Sequence, residues 1–568
     1  MPFFVTNKSA GPSSDPTPLT YVDILYDHAG YLSTNNGWLG SGSLAGNNIA
    51  IVGAGAAGLC AAYLLMMMGA NVTILEAGPR PGGRIYSLYP VSGDAAIFEL
   101  GAMRVPPSEQ LFQYFAGLFN IQPGGQFPDP GKVFTQIVFE NETYDWKAGD
   151  PPPSQFTNVS TGWDNLANSF APITADLASS STFSNAHAAW QKLIYNATPP
   201  GPEQGYSTIS FYQGLVQAFV ENYQQYGLTQ PWSPEDFALF GALGVGSGGF
   251  GPLYQVNFAE IVRLVVNGLE THQQFYPGGL GALIDGFIYS RPGGGSILGD
   301  YVAYNQAVQA VQPAADGLVQ VSFAGGSPAP RLYNAVIIAT TTRSMQIDLG
   351  LTDPPSGMLA LNPDQNTAIR EIHLMNSSKL FVLTKSKFWV PPPCGEATLP
   401  SNIQTDGLVR GLYCLDYPDS NYGVVLISYT WGDDSTKYIA IKDPPTRLAI
   451  LLNSLQAAVP EFVNALTPQI IPEYTTMVDW QEELNYYGAF KLNYPGQDPL
   501  NQSLYYQFLQ SNNGIYLAGD SIGWCGGWIE GAFQTGMNAA AAVVQQLGGN
   551  LFANSPMTQN ANQFQYGP

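Results

Sequence analysis

The stretch Asn48 to Arg84 reads NIAIVGAGAAGLCAAYLLMMMGANVTILEAGPRPGGR, and its pattern decides the fold class. An apolar run, Ile49 to Val52, leads into a glycine-rich turn, and a run of helix-forming residues, Leu59 to Met68, follows the turn. A second apolar run, Val72 to Leu75, ends at Glu76. The order of strand, turn, helix, strand and acid predicts a dinucleotide-binding βαβ unit.

Each of the three spaced glycines in the turn has its own physical reason. Gly53 allows the tight turn, Gly55 lets the backbone approach a pyrophosphate, and Gly58 lets the helix pack on the strand. The helix N-terminus then offers the phosphates free N–H groups and the positive end of its dipole. Glu76 lies 23 positions after Gly53, where a carboxylate accepts hydrogen bonds from a ribose diol.

The alternative for this stretch is a membrane span, because residues 49–75 contain no charged side chain. The glycines, the predicted turn within them and the absence of a basic flank argue against that alternative. We therefore expect a soluble dinucleotide-binding unit with no membrane partner.

The overall composition excludes several other classes of protein. The 568 residues are 45% hydrophobic, which indicates a globular chain long enough for more than one domain. Acidic residues outnumber basic ones by 42 to 20, and a net charge of −22 disfavours nucleic acid or anionic membrane as a partner. Four cysteines without CxxC spacing and four histidines predict neither a metal site nor a disulfide framework. The N-terminus lacks a secretory pattern, so we expect a cytoplasmic location.

Two short phrases and the C-terminal region indicate which dinucleotide is bound. Pro81 to Arg84 reads PGGR, Glu99 to Arg104 reads ELGAMR, and Gly514 to Val544 is a strand, a glycine-rich turn and a helix by pattern. With these phrases the sequence resembles the FAD-containing amine oxidase superfamily. The ELGAMR phrase resembles the corresponding phrase in the branch of this superfamily that acts on L-amino acids. That branch comprises L-amino acid oxidases and the phenylalanine, tryptophan and lysine 2-monooxygenases.

The resemblance implies an α/β fold, α+β overall, with interwoven domains. A Rossmann-type (GR2) FAD-binding domain is expected to alternate along the chain with a mixed-sheet substrate-binding domain and a helical subdomain. The expected segments are an N-terminal arm at 1–47, an FAD-binding domain at 48–110, 276–345 and 505–550, a substrate-binding domain at 111–160 and 346–504, a helical subdomain at 161–275, and a polar tail at 551–568. Within the arm we expect His28 to be solvated, and residues 301–311 predict one strand.

The resemblance also implies FAD as the cofactor and a set of residues that contact it. Phe490 stands where covalently flavinylated amine oxidases have a cysteine, which implies non-covalent FAD. The implied FAD contacts are Gly53, Ala54, Gly55, Ala56, Ala57, Gly58, Glu76, Ala77, Gly83, Arg84, Gly101, Ala102, Met103, Arg104, Val308, Gly519, Asp520, Gly527, Trp528 and Ile529.

Oxidation of an amino acid requires that the substrate carboxylate be held in place. Arginine binds a carboxylate through two parallel hydrogen bonds. The resemblance assigns this role to Arg104, with Tyr429 supplying a further hydrogen bond. Without the resemblance, Arg104 would more often be a surface or phosphate contact, and Tyr429 a half-buried packing residue.

The substrate amine must lose its proton before a hydride leaves Cα. A carbonyl acceptor between aromatic walls favours the neutral amine because it excludes water. The resemblance assigns the carbonyl to Gly527 and the walls to Trp528 and Phe490. Lys379 corresponds to a lysine that holds a water near the flavin, suited to O₂ activation or imine hydrolysis. The alternative for Lys379 is a strand lysine that extends to solvent.

The activity implied first is that of an L-amino acid oxidase, which releases a 2-oxo acid, ammonia and H₂O₂ with O₂ as co-substrate. The nearest alternative is an L-amino acid 2-monooxygenase, in which the same intermediates decarboxylate to an amide. An amine or polyamine oxidase is disfavoured by Arg104, and a flavin-binding protein without catalysis would not need Arg104, Lys379 and Trp528 together. The resemblance implies a homodimer.

The side chain of the substrate is less well defined. Phe250 to Tyr254 contains no acid for a distal ammonium group, and with Trp528 and Phe490 this favours an apolar or aromatic side chain, or broad tolerance. Glu260 and Glu270 are close in sequence and leave the question open.

Overall fold

A computed structural model describes residues 27–171, 205–243, 250–270, 272–354, 360–391, 395–509, 513–553 and 555. Most of the predicted polar tail and the first part of the predicted arm therefore lie outside the described residues.

The strands are mostly short and alternate with helices along the chain. In chain order they are β1 (Gly40–Ser41), β2 (Asn48–Val52), β3 (Asn71–Leu75), β4 (Ser87–Leu88), β5 (Phe98–Glu99), β6 (Gly125–Gln126), β7 (Thr135–Phe139), β8 (Glu142–Trp146), β9 (Gln274–Phe275), β10 (Val302–Ala303), β11 (Val308–Pro313), β12 (Val319–Phe323), β13 (Arg331–Tyr333), β14 (Ala335–Ile338), β15 (Leu374–Met375), β16 (Ser377–Thr384), β17 (Asn402–Thr405), β18 (Gly411–Leu415), β19 (Gly423–Trp431), β20 (Ile470–Asp479), β21 (Phe490–Lys491), β22 (Ile515–Leu517) and β23 (Asn550–Leu551).

The α-helices of the described residues are numbered in the same way. They are α1 (His28–Thr34), α2 (Ala56–Met67), α3 (Gln110–Leu118), α4 (Thr157–Ser169), α5 (Phe211–Val216), α6 (Pro234–Ala242), α7 (Phe258–Val266), α8 (Gly281–Tyr289), α9 (Thr342–Ile347), α10 (Pro363–Glu371), α11 (Asp433–Thr436), α12 (Pro444–Gln456), α13 (Pro460–Leu466), α14 (Asp498–Tyr505) and α15 (Ile529–Gln546).

The glycine-rich stretch forms the centre of a five-stranded sheet with the order β10-β3-β2-β14-β22. All four pairings in this sheet are parallel. Strand β2 is apolar and buried after its first residue, as expected for a parallel strand covered on both faces. The α/β expectation is confirmed, and the carboxyl end of β2 leads directly into the turn before α2.

A second, seven-stranded sheet has the order β20-β16-β19-β18-β17-β7-β8. Its neighbours pair antiparallel except for β17 and β7, which run parallel, so the sheet is mixed as expected. Strands β16 and β19 are central and almost completely buried. Their register places Lys379 directly opposite Tyr429. The exact domain boundaries remain predictions.

The single strand predicted at 301–311 is wrong, because the chain changes sheets within it. Strand β10 joins the parallel sheet beside β3, whereas β11 begins the antiparallel sheet β11-β12-β13. Between them Asn305 has a φ of 56°, a left-handed conformation that a continuous strand cannot contain. Asparagine tolerates this conformation better than most residues.

The expectation that His28 is solvated is also wrong. Its side chain is 2% exposed, and Nε2 lies 2.9 Å from Oδ1 of Asn538 in α15. Tyr31 and Leu32 of the same short helix, α1, are buried in the main core. The end of the predicted arm is therefore packed against the C-terminal helix.

The membrane alternative for residues 49–75 does not match the structure. That stretch forms two strands around the 12-residue helix α2. Among the described residues no helix is both long and apolar enough to cross a bilayer.

Helices α2 and α15 cross at a glycine in the centre of the core. A Cβ added to Gly536 would lie 2.4 Å from the carbonyl oxygen of Ala57 and 3.2 Å from its Cα. Backbone atoms cannot yield as a flexible side chain can, so only glycine permits this approach.

We therefore expect Gly536→Ala to force the two helices apart and to destabilise the protein by about 1–3 kcal/mol or more. Gly117→Ala is the matched control, because Gly117 is exposed near the end of α3 with nothing within 4 Å of an added Cβ. The control should be neutral or stabilising by up to about 1 kcal/mol. Thermal unfolding and the flavin content of the purified variants measure both effects. Equal melting temperatures for the two variants would contradict the packing argument.

Candidate active site

Two adjacent cavities lie between the parallel sheet and the mixed sheet. The larger has a volume of about 480 Å³ and extends from the turn after β2 to β16 and β19. The smaller has a volume of about 90 Å³. The residues that line both cavities are Gly101, Ala102, Tyr429, Phe490, Gly527, Trp528 and Ile529. This shared wall makes the smaller cavity an extension of the larger one.

The first end of the larger cavity is built by the glycine turn. Gly53 has a φ of 103°, and a Cβ there would lie 2.8 Å from the carbonyl oxygen of Ala339. A Cβ on Gly58 would lie 2.0 Å from the carbonyl oxygen of Gly53. Gly55 is the N-cap of α2 and provides no side-chain cap, and it lines the cavity. The helix thus presents a bare N-terminus, which is a suitable site for a pyrophosphate.

The acid at the end of β3 is held by two backbone groups. Glu76 Oε2 accepts a hydrogen bond of 2.8 Å from the N–H of Ala54, and Oε1 accepts one of 2.8 Å from the N–H of Gly78. The carboxylate lines the larger cavity in this fixed orientation. It is therefore positioned to accept hydrogen bonds from a ribose diol.

A second carboxylate connects two distant parts of the wall. Asp520 Oδ2 accepts from Arg84 Nη1 at 3.1 Å, and Oδ1 accepts from the N–H of Gly527 at 2.8 Å. Arg84 also donates to the carbonyl of Ala489 at 2.6 Å. The PGGR turn, the segment before β21 and the turn before α15 are thereby held together.

The larger cavity gathers most of the residues assigned to FAD. Those lining it are Gly53, Gly55, Ala56, Ala57, Glu76, Ala77, Gly83, Arg84, Gly101, Ala102, Val308, Gly519, Asp520, Gly527, Trp528 and Ile529. Ala54 and Gly58 support the turn without lining the cavity, and Met103 and Arg104 line the smaller cavity instead. Together, the bare helix N-terminus, the fixed acid and the long cavity have the features that a dinucleotide requires.

The smaller cavity contains Arg104, paired with a carboxylate that the sequence did not assign. Arg104 donates to Glu270 from Nη1 to Oε2 at 2.7 Å and from Nη2 to Oε1 at 3.2 Å. Its guanidinium carbon lies 5.5 Å from the ring centre of Trp528, within cation–π range. Burial acts to lower the pKa of Arg104, but the Glu270 carboxylate raises it above its ordinary value, so Arg104 is a permanent cation.

Aromatic rings form the wall between the two cavities. Tyr429 meets Trp431 edge-on at 5.5 Å, and Trp431 meets Phe490 edge-on at 5.6 Å. Gly527 has a φ of 87°, and a Cβ there would lie 3.3 Å from the Phe490 ring. The predicted residues Tyr429, Phe490, Gly527 and Trp528 are thus brought together with Arg104. Sequence inspection missed Trp431, although it stands two positions after Tyr429 on the same strand face.

Lys379 lies on the larger cavity and is buried, contrary to the alternative of a solvated strand lysine. Its Nζ donates to the carbonyls of Glu99 at 3.0 Å and Gly101 at 2.5 Å, and lies 4.7 Å from the ring centre of Tyr429. Burial lowers the pKa of Lys379 to about 7, against the opposing effect of the Glu99 charge. Burial also raises the pKa of Glu99 to about 7. Both groups are therefore shifted towards their neutral forms.

Two buried glutamates cap each other's helices beside the smaller cavity. Glu109 precedes α3, and its Oε2 accepts from the N–H of Glu530 in the first turn of α15 at 2.9 Å. Glu530 in turn accepts from the N–H groups of Leu111 and Phe112 in α3, at 2.9 and 3.1 Å. Burial raises the pKa of Glu530 to about 8, although these N–H groups lower it. Burial and the Glu530 charge raise the pKa of Glu109 well above its usual range.

The sequence could have indicated Glu530 but not its partner. Glu530 is the only charged residue in the glycine-rich phrase CGGWIEGA, which marks it as unusual. Its bond to the start of α3 spans 419 positions of sequence, and no local pattern indicates such a contact.

The comparisons with known proteins agree with this geometry. A family model for flavin containing amine oxidoreductases matches residues 56–544. The chain belongs to this family of flavin-dependent oxidoreductases, so its cofactor is a flavin, in agreement with the FAD expected from the sequence.

More specific similarity is found to two tryptophan 2-monooxygenases. The protein from Pseudomonas savastanoi is 39% identical over 565 residues, covering 94% of this chain and 97% of that protein. The protein from Pantoea agglomerans pv. gypsophilae is 38% identical over 562 residues, covering 94% and 96%. The structure of putrescine oxidase bound to putrescine superposes with a TM-score of 0.65 at 18% identity, covering 88% of this chain and 99% of that one, which supports the fold.

The two buried glutamates make stability depend on pH. A carboxyl group whose pKa is raised by folding stabilises the fold fully below its ordinary pKa of 4.5, and that contribution is lost as the pH rises through its folded value of about 8. In Glu530→Gln the amide cannot ionise but still accepts a hydrogen bond. We therefore expect the variant to gain in unfolding free energy relative to wild type from about pH 4.5 to 8, by at most about 1.4 kcal/mol per pH unit.

Denaturant unfolding at a series of pH values measures this difference. Glu396→Gln removes the same charge from an exposed side chain and serves as the control. A difference between Glu530→Gln and wild type that does not change with pH would contradict a protonated Glu530.

Proposed function

We propose that the protein is an aromatic L-amino acid 2-monooxygenase acting on tryptophan. The single observation that carries the proposal is the smaller cavity, which lies next to the predicted flavin site. In this cavity Arg104, which can bind a carboxylate, lies beside the ring of Trp528. The full-length similarity to two tryptophan 2-monooxygenases supports this activity over the deamination ranked first from sequence. The reaction converts an L-amino acid and O₂ into the amide one carbon shorter, CO₂ and water.

The substrate carboxylate binds Arg104, with Tyr429 as a second donor. Both residues line the smaller cavity, and Arg104 is buried there as a permanent cation. Burial raises the pKa of Tyr429, so its hydroxyl keeps its proton and can donate. A charged fork on a buried side chain binds a carboxylate in one orientation.

The substrate side chain lies among Trp431, Phe490 and Trp528. These rings, with Leu253 and Leu264, leave an apolar space that suits an indole or phenyl group. Glu260 does not take part as an acid for a distal ammonium, because it is paired with Lys491 at 2.9 Å. This pairing supports an aromatic rather than a basic side chain.

The amine of the substrate faces the carbonyl of Gly527 between the rings of Phe490 and Trp528. An acceptor in a dry aromatic site favours the neutral amine, which is the form that can be oxidised. FAD, held by the residues that line the larger cavity, would supply the acceptor for a hydride from Cα and the route for its electrons to O₂. We propose that FAD is held without a covalent bond, since none of the three described cysteines, Cys60, Cys414 and Cys525, lines the larger cavity.

Lys379 acts in the steps of the reaction that involve water and O₂. Two of its N–H bonds are committed to carbonyl groups, which leaves its remaining direction for the cavity. As a neutral amine it can accept a hydrogen bond from a water, and as an ammonium it can only donate. Its protonation therefore determines whether it can accept a hydrogen bond, and then a proton, from a water there.

The second candidate is an L-amino acid oxidase that uses the same residues. The two reactions diverge only in whether the oxidised intermediate loses CO₂ or is hydrolysed to a 2-oxo acid, ammonia and H₂O₂. Product analysis with L-tryptophan, L-phenylalanine and other L-amino acids separates them. Amide with CO₂ is the expected result, and stoichiometric H₂O₂ with 2-oxo acid would replace the proposal by the second candidate. A homodimer, tested by light scattering, remains a prediction.

Arg104→Lys tests the carboxylate site. Lysine keeps the charge but loses the two-pronged geometry, so kcat/KM for L-tryptophan should fall by about 10²- to 10³-fold. Flavin content should be unchanged, because Arg104 does not line the larger cavity. Arg370→Lys, at an exposed position in α10, is the control. Retained kcat/KM, or activity on amines without a carboxylate, would favour an amine oxidase.

Lys379→Met tests the role of the lysine through pH. Because the pKa of Lys379 is lowered to about 7, wild-type kcat should rise as the pH passes through about 7 and the neutral amine forms. The variant should be slower by about 10²-fold and lack this inflection. Lys385→Met, an exposed lysine just beyond the same strand, should keep the wild-type profile. If the inflection of kcat near pH 7 persists in Lys379→Met, it reports the titration of another group.

A further inference from the structure

The arginine of the proposed site is already paired with a carboxylate of the chain itself. Glu270 meets both terminal nitrogens of Arg104, at 2.7 and 3.2 Å. The two side chains are 8% and 4% exposed. This two-pronged arrangement is the one that a substrate carboxylate uses. Substrate and Glu270 therefore compete for the same edge of the guanidinium.

The backbone fixes the two partners side by side. Val105, next to Arg104, and Gln274, near Glu270, form a β-bridge in which each N–H donates to the other's carbonyl, at 3.2 and 2.8 Å. The segments that carry the pair cannot separate without breaking this bridge. Rotation of the Glu270 side chain would release the arginine while this bridge stays intact.

The charges around Arg104 favour exchange of one carboxylate for another. A buried cation without a partner is strongly unfavourable, so Glu270 stabilises Arg104 when no substrate is bound. A second buried acid, Asp129, also interacts with both groups, and burial raises its pKa to about 7. Asp129 Oδ1 is buried without a hydrogen-bond partner among the described residues.

We propose that Glu270 is a built-in substitute for the substrate carboxylate, which neutralises Arg104 between turnovers and gives up its place when substrate binds. The inference rests on the proposed function, in which Arg104 holds that carboxylate. Oxidative decarboxylation removes the carboxylate as CO₂, so the amide product has no group with which to keep Glu270 away. Glu270 then returns to Arg104 and lowers the affinity for the product. Glu270 is therefore a positioning residue. By competing for Arg104 it favours release of the neutral product, and it gives way when the next charged substrate binds.

A pair of ligands that differ only in charge tests this role. Binding of indole-3-acetate and indole-3-acetamide to the FAD-loaded enzyme is measured by the change in flavin absorbance. In Glu270→Gln the competing charge is removed while the shape is kept, so the dissociation constant for the acetate should fall about tenfold or more. The constant for the acetamide should change less than about twofold, and KM for L-tryptophan should fall more than kcat changes.

Two further variants separate this role from a structural one. Glu270→Asp keeps the charge on a shorter side chain. It should therefore bind indole-3-acetate and indole-3-acetamide with dissociation constants close to those of wild type. Glu396→Gln, at the surface, should match wild type for both. Equal weakening of acetate and acetamide in Glu270→Gln would make Glu270 merely structural and overturn the inference. If the dissociation constants of indole-3-acetate and indole-3-acetamide are equal both in wild type and in Arg104→Lys, the proposed carboxylate site itself is overturned.

Discussion

One buried carboxylate, Asp520, connects two turns on opposite sides of the larger cavity. It accepts from the N–H of Gly527 and from Arg84, which lies 436 positions earlier in the sequence. The first partner belongs to the turn that follows the dinucleotide acid, and the second to the turn that presents Trp528. The larger cavity lies between these two turns.

Behind the aromatic wall, a fully buried set of charges fixes the remaining elements. Lys491 pairs with Glu260 at 2.9 Å, and Arg263 pairs with Asp498 at 2.7 Å. Two positive and two negative side chains compensate each other, which burial of so many charges requires. They connect α7, β21 and α14, so Phe490, next to Lys491, is positioned by ion pairs as well as by packing.

The parts of the molecule that could be predicted from sequence are those whose signal is local. The glycine turn, α2 and Glu76 follow from one continuous stretch, and the resemblance carried by PGGR and ELGAMR led to most of the other predicted residues that line the two cavities. The pairing of Arg104 with Glu270 spans 166 positions and leaves no trace in either segment. The same reason explains the error at His28, whose partner Asn538 is 510 positions away. The strand error at 301–311 has another cause, because a single left-handed residue interrupts an otherwise regular pattern.

The mutual capping of α3 and α15 has a consequence for the order in which the chain can fold during synthesis. Glu530 satisfies the first N–H groups of α3, yet it is synthesised 419 residues after Leu111. Strand β22, at the edge of the parallel sheet, emerges equally late. Domains generally fold as units during synthesis. In this protein the unit that lines the larger cavity can be completed only after the segment from β22 to Glu530 has been synthesised, long after the glycine turn.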